Sequence, residues 1–253
     1  MGLLAAVFLG LVAALELGYR IGLRRSFEIR DADRAHAGAL QAATLGLLAL
    51  LLGFTFFMAV SRYDTRKQLV LDEANAIGTA ALRARLLPEA ERREAPGLFR
   101  DYVVARLAYH DAGIDPAKLR DAQERAARVE SRLWSLAESA AARDSHALTA
   151  SLFLQAMNDV IDLREKRQVA FDNHVPEVVL ALLLAVSAVS LAFLGYGSGV
   201  DRVRRLWPNA VFAFLITLVF VVIVDLDRPR RGLIQVSQDS LLRLQASLDQ
   251  ATP

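Results

Sequence analysis

The sequence predicts an all-α membrane protein, with four transmembrane helices and a helical soluble domain between the second and third. Two observations carry this. Residues Ala37–Ser61, Val178–Val200 and Leu206–Val224 contain no Asp, Glu, Lys or Arg, and Leu3–Leu23 is interrupted only by Glu16 and Arg20. Each stretch is long enough to cross a hydrocarbon core of ~30 Å as a helix of about 20 residues. Between the second and third stretches, Arg62–His174 holds 18 basic and 18 acidic residues and is therefore readily soluble. A soluble protein would instead break its apolar residues into amphipathic stripes.

Taken in order, the first span begins with Gly2–Leu15, an uncharged run. No basic segment precedes Leu3, so it reads as a retained helix rather than a secretory signal. The second span has no Pro or Gly between Phe54 and Asp72 and is expected to run on into the soluble domain as one long helix. The domain is rich in Ala, Leu, Arg and Glu and poor in β-branched runs, which favours helix over strand. Breaks at Pro88, Pro96-Gly97, Gly113 to Pro116 and Asp144-Ser145 give expected helices over 62–87, 98–112, 116–142 and 145–174. In the last of these, Leu148, Leu152, Val160, Ile161 and Leu163 form a packing side that leaves Arg164, Glu165 and Arg167 in water. Pro176 suits the first turn of the third span. Leu241, Leu242, Leu244 and Leu248 predict a short docked helix in the tail. The expected division is 1–61, 62–174, 175–225 and 226–253.

Composition narrows the chemistry. A hydrophobic share of 54% with 23% charged residues fits neither a disordered tail nor a soluble enzyme. With no cysteine there is no disulfide, thiolate metal site or cysteine nucleophile. The pI is about 9.1, but a formal net charge of +2 implies no nucleic-acid partner. No Ser-His-Asp, Walker or zinc pattern is present, so an enzyme is not expected and no cofactor is implied.

At the second span the sequence reads Leu52-Gly53-Phe54, followed eight residues after the Phe by Arg62-Tyr63. This resembles the pore helix of bestrophins, and the order of two spans, helical domain, two spans and tail is similar as well. The segments Arg62-Tyr63-Asp64-Thr65-Arg66, Glu73 to Gly78, His174-Val175-Pro176 and Asp225 to Gly232 resemble, more closely, the bacterial bestrophin-like proteins of uncharacterised function. The resemblance implies a homo-oligomeric ring, of five subunits in bestrophins, that conducts inorganic anions such as chloride across the bacterial inner membrane. It implies an apolar neck at Gly46, Leu50 and Phe54. Gly46 departs from the pattern because it offers no side chain, which shortens the neck or shifts it toward Met58. A ring of Leu and Phe cannot coordinate an ion, but it can gate by drying. The competing reading makes Leu50, Phe54 and Met58 ordinary packing residues of a membrane helix. The competing function is a non-conducting membrane-anchored sensor or scaffold whose helical domain binds a ligand or partner.

Other candidates have plainer readings. Glu16, the only acid inside a span, has Arg20 four residues on and is expected to pair with it. Glu73 and Asn75, on the continuation of the pore helix, either tune ion traffic or serve as buried interhelical partners. Asp225 and Asp227 are the only carboxylates close to the end of the fourth span that could be offered to a metal. They are too few for calcium, which takes six to eight oxygens, so no metal site is expected. His36, His110, His146 and His174 lie far apart and make no chelating pair. Gly195 to Gly199 is expected to form a tight turn with close helix packing, and the run Arg202, Arg204, Arg205 to sit at lipid headgroups. Four spans place both termini and the domain on one side. Eight arginines in the linkers, against ten basic residues flanking the spans on the domain side, do not fix which side is cytoplasmic. The resemblance implies that the domain and termini are.

Overall fold

The computed structural model describes residues 2–27, 30–143, 148–230 and 232–250. They form α1 (Gly2–Arg25), α2 (Asp31–Ala84), α3 (Glu89–Asp111), α4 (Pro116–Arg143), α5 (Leu148–Asp172), α6 (Glu177–Val200), α7 (Leu206–Asp227) and α8 (Asp239–Gln250). The expected break at Asp144-Ser145, and His146, Arg231 and Pro253, lie outside the described residues. The chain divides into two compact units, Met1–Ser61 with His174–Arg228, and Arg62–Asn173 with Pro229–Pro253. Helix α2 contributes to both.

The first unit contains α1, the apolar part of α2, α6 and α7, and all four helices are long and apolar enough to cross a membrane. In hydrocarbon a helix satisfies its own backbone, and hydroxyls must do likewise. Thr55, Ser187 and Thr217 donate to the carbonyls of Leu51, Leu183 and Ala213, four residues earlier in their own helices. Helices α1 and α6 pack backbone to backbone. A Cβ at Gly18 or Gly22 would collide with the main chain of Ala192 or Tyr196, and one at Gly195 or Gly199 with that of Leu15 or Tyr19. Both helices thus carry a Gly-x-x-x-Gly pair on the contact face, the spacing that lets membrane helices approach closely. Of the tight turn with close helix packing expected at Gly195 to Gly199, the packing holds and the turn is corrected. These residues lie inside α6, and the glycines serve contact rather than chain reversal.

The second unit contains the remainder of α2 with α3, α4, α5 and α8. Its core includes Val70, Ile77, Phe99, Tyr102, Leu133, Phe153, Met157 and Leu241, and Phe99 meets Phe153 edge to face with ring centroids 6.4 Å apart. The break at Pro96-Gly97 is also corrected, since Pro96 lies within α3. A proline there forfeits a hydrogen bond, at about 3 kcal/mol. Ala95 and Phe99, buried on either side of it, supply offsetting contacts. The break after α3 holds. Gly113 takes φ +55°, the left-handed region open to glycine, and the Asp115 carboxylate accepts from the Ala117 N–H at 2.9 Å to start α4. Helix α8 buries Leu241 and packs Leu244 and Leu248 on the core, as the leucine spacing of the tail predicts.

Candidate functional site

Within its apolar stretch, α2 has two faces. Leu48, Thr55 and Ala59 are buried, and on that side Ser190 of α6 donates to the Thr44 carbonyl at 3.2 Å. The opposite side carries Gly46, Leu50, Phe54 and Phe57 at spacings of three and four residues, which align side chains on one helix face. Leu50 is 54%, Phe54 62% and Phe57 71% exposed, and a Cβ added at Gly46 or Gly53 would meet no neighbour. Met58 is half-buried, turned away from the centre of this face. Phe57 was not singled out from sequence. Its signal was available, three residues after Phe54 and seven after Leu50.

Beyond Ser61, α2 becomes polar and its residues take structural duties. Arg66, 1% exposed, donates through Nε to the Ala170 carbonyl at 2.9 Å and through Nη2 to that of Asn173 at 3.0 Å. It thereby caps the C-terminal end of α5, where unsatisfied carbonyls and the helix dipole favour a cation. Arg62 donates to the Asn173 side chain.

About two turns further along the helix, Glu73 is fully buried between two arginines. Arg106 Nε donates to Oε1 at 2.6 Å and Arg167 Nη1 to Oε2. Burial pushes the Glu73 carboxyl up, but Arg106 and Arg167 together pull it down further, so it lies below its ordinary range. Two guanidiniums against one carboxylate leave an excess positive charge. Arg106 lies 5.3 Å from the Tyr109 ring centre and Arg167 5.7 Å from that of Phe171, while the Gln238 side-chain carbonyl accepts from Arg167. Glu73 thus lies buried between α3 and α5, paired with an arginine from each. Asn75 is exposed.

The expectation that Arg167 is solvated is likewise corrected, because it is 1% exposed. Phe153, Val160 and Arg167 are seven residues apart and share the packing face of α5, and the cost of burying the charge is met by Glu73. Charge type alone hid this.

The segment after the fourth span closes on the one before the third. The Asp227 carboxylate, 2% exposed, accepts from the Val175 N–H at 2.8 Å, and His174 Nδ1 donates to the Asp227 main-chain carbonyl at 2.9 Å. Asp227 is therefore a joint between the start of α6 and the end of α7. Asp225 is half-buried. In the second unit, Arg230 donates to Tyr109 Oη and lies 4.5 and 5.0 Å from the Tyr109 and Phe171 ring centres. In the first, Glu16 pairs with Arg20 at 2.8 Å as its spacing predicts, and also meets Arg204 at 3.5 Å.

Comparison with known proteins agrees with this geometry. Two crystal structures of a bacterial bestrophin homologue from Klebsiella pneumoniae, each carrying a single substitution, match with TM-scores of 0.69 at 14% identity. One covers 97% of this chain and 98% of that one, the other 98% and 97%. A further variant of the homologue matches with a TM-score of 0.67 at 15% identity, covering 96% and 97%. Among curated proteins nothing matches. The similarity at this identity is one of fold, that of an all-helical bestrophin-like membrane protein. The family model of the Bestrophin-like domain matches residues 12–241, so the chain belongs to the Bestrophin-like family.

Proposed function

We propose that this protein is an ion channel that assembles as a ring of identical subunits and conducts inorganic anions along a pore lined by α2. Family membership supports a channel kind of function and self-association in a membrane. The observation that supports the lining is the uncovered α2 face of Gly46, Leu50, Phe54 and Phe57, opposite the face that packs on α6. Side chains of this kind around an axis would hold a dry constriction that wets to open and favours anions that shed water easily. Gly46 and Gly53 interrupt the apolar side chains, so the narrowest part falls at Leu50, Phe54 and Phe57 rather than at the Gly46 level.

The remaining assignments follow from this reading. The second unit is the soluble body of the channel, and within it Arg66 and Glu73 tie the polar part of α2 to α3 and α5. Asp227 is a structural joint, so Asp225 and Asp227 do not form a calcium switch. The membrane is the bacterial inner membrane.

The test is Phe54→Ala, measured for both flux and assembly. Shortening a pore residue eases wetting, so anion flux in reconstituted liposomes rises or loses gating while the ring persists. At a packing position the same change leaves a cavity and destabilises by about 3–5 kcal/mol without opening a path. Unchanged transport with a weaker ring would overturn the lining. A wild type that is monomeric in detergent and passes no ions would favour the membrane-anchored sensor or scaffold instead.

A further inference from the structure

We infer that the C-terminal turn of α1 and the loop between α6 and α7 form one docking surface for the headgroup of an anionic phospholipid. The two runs are far apart in sequence, yet the structure fastens them together. Arg202 Nε donates to Ser26 Oγ at 3.1 Å and its guanidinium lies 3.4 Å from the Phe27 ring centre, while that of Arg204 lies 5.6 Å from the ring centre of Tyr19. Arg202 itself takes φ +55°, a left-handed conformation that an arginine rarely adopts. The loop thus holds a disfavoured backbone while its arginines lie against α1. The Gly-x-x-x-Gly contact of α1 with α6 fixes the two ends that carry it.

The charge at this end of the spans is positive, since Arg20, Arg24, Arg25, Arg30, Arg34, Arg202, Arg204 and Arg205 stand against Glu16, Glu28, Asp31, Asp33 and Asp201. Glu16 is engaged by Arg20 and Arg204. Arg24, Arg25 and Arg205 are exposed and have no acidic partner among the described residues. The loop between α6 and α7 contributes a single carboxylate, Asp201, and in the linker after α1 Asp33 is engaged by Arg30 at 3.4 Å. Cations at the end of α1 also suit its unsatisfied carbonyls, so they hold their place without a counter-charge from the protein.

A second feature selects lipid over a free anion. Phe27 is 81% and Trp207 80% exposed, and both flank the arginines at the ends of membrane spans. Aromatic rings at that level sit in the headgroup region, with their apolar bodies toward the acyl chains. A phosphodiester with its glycerol and acyl chains would satisfy guanidiniums and rings together, whereas inorganic phosphate would engage only the guanidiniums.

The experiment is native mass spectrometry of the full chain released from bilayers of phosphatidylglycerol and phosphatidylcholine in equal amounts. It does not depend on conduction, so its outcome is separate from that of the channel reading. The wild type should retain phosphatidylglycerol in preference. Replacing Arg24, Arg25 and Arg205 by Ala should lower that preference by roughly fivefold per arginine. Removing the same kind of charge elsewhere, with Arg125→Ala and Arg128→Ala in α4, should leave it intact. Should the triple variant fail to fold, Arg205→Glu, a single change in an exposed loop, must shift the preference in the same direction. No preference in the wild type, an equal loss in the α4 control, an unmoved Arg205→Glu, or full competition by millimolar inorganic phosphate would each overturn the assignment.

Discussion

Glu73 shows how one residue can carry a disproportionate share of a unit's stability. Its carboxylate is the counter-charge shared by two buried arginines, so removing it leaves both cations without one. Breaking a buried pair in this way costs about 3–5 kcal/mol, more than the pair contributes relative to an apolar replacement. Glu73→Gln keeps the shape and loses the charge, and it should destabilise the purified protein by that amount, read as a lower thermal midpoint. The pH dependence has a definite sign. Because Glu73 is held below its ordinary value of 4.5, its stabilisation is complete above that value and lost as pH falls through the lower folded value. Between pH 7 and pH 3 the difference between wild type and Glu73→Gln should therefore be constant at first and shrink only on the acid side. A difference that shrinks toward pH 7 would exclude this role for the carboxylate.

At the scale of elements, the contact between α1 and α6 depends on four missing side chains. Gly18→Val or Gly195→Val must push the helices apart, because the obstructing atoms are backbone rather than flexible side chains. Each should destabilise the protein in detergent by about 1–3 kcal/mol or more. Gly10→Val, on the same helix as Gly18 but with open space at its Cβ, should be near neutral. Equal effects at Gly10 and Gly18 would mean that helix propensity, not approach, sets the requirement. The contrast also shows what sequence can and cannot reveal. The four spans, the continuous α2 and the docked α8 were legible because they rest on hydropathy, on the absence of helix breakers and on leucine spacing, all local properties. Pro96 misled because tertiary packing of Ala95 and Phe99 outweighs a local penalty. Gly195 to Gly199 misled because small residues suit a turn and a helix contact alike. Arg167 misled because a charged residue at a core position is predictable only once Glu73 is known to face it, and that pairing spans 94 positions in the chain. The α2 face was legible as a period, while which side of it was uncovered required α6.

For the whole molecule, the open matter is its direction in the membrane. Four spans return the chain to the side from which it started, and the arginine tally near the spans is too even to choose that side. The proposed orientation therefore rests on the family, with the body between the second and third spans in the cytoplasm. The lipid surface at the α1 and α6–α7 ends then faces the outer leaflet. A reporter fused at Pro253 decides it, since alkaline phosphatase is active only outside the cytoplasm, whereas green fluorescent protein fluoresces inside it and stays dark when exported unfolded. The expected result is fluorescence from the Pro253 fusion and phosphatase activity from an insertion after Arg202, in the short loop between α6 and α7. The two sites must give opposite answers if four spans are present. Agreement between them would mean that α7 does not cross, leaving three spans. Reversal of both would keep the fold, place the Arg24, Arg25 and Arg205 surface against the cytoplasmic leaflet, and leave the channel proposal to be judged on flux alone.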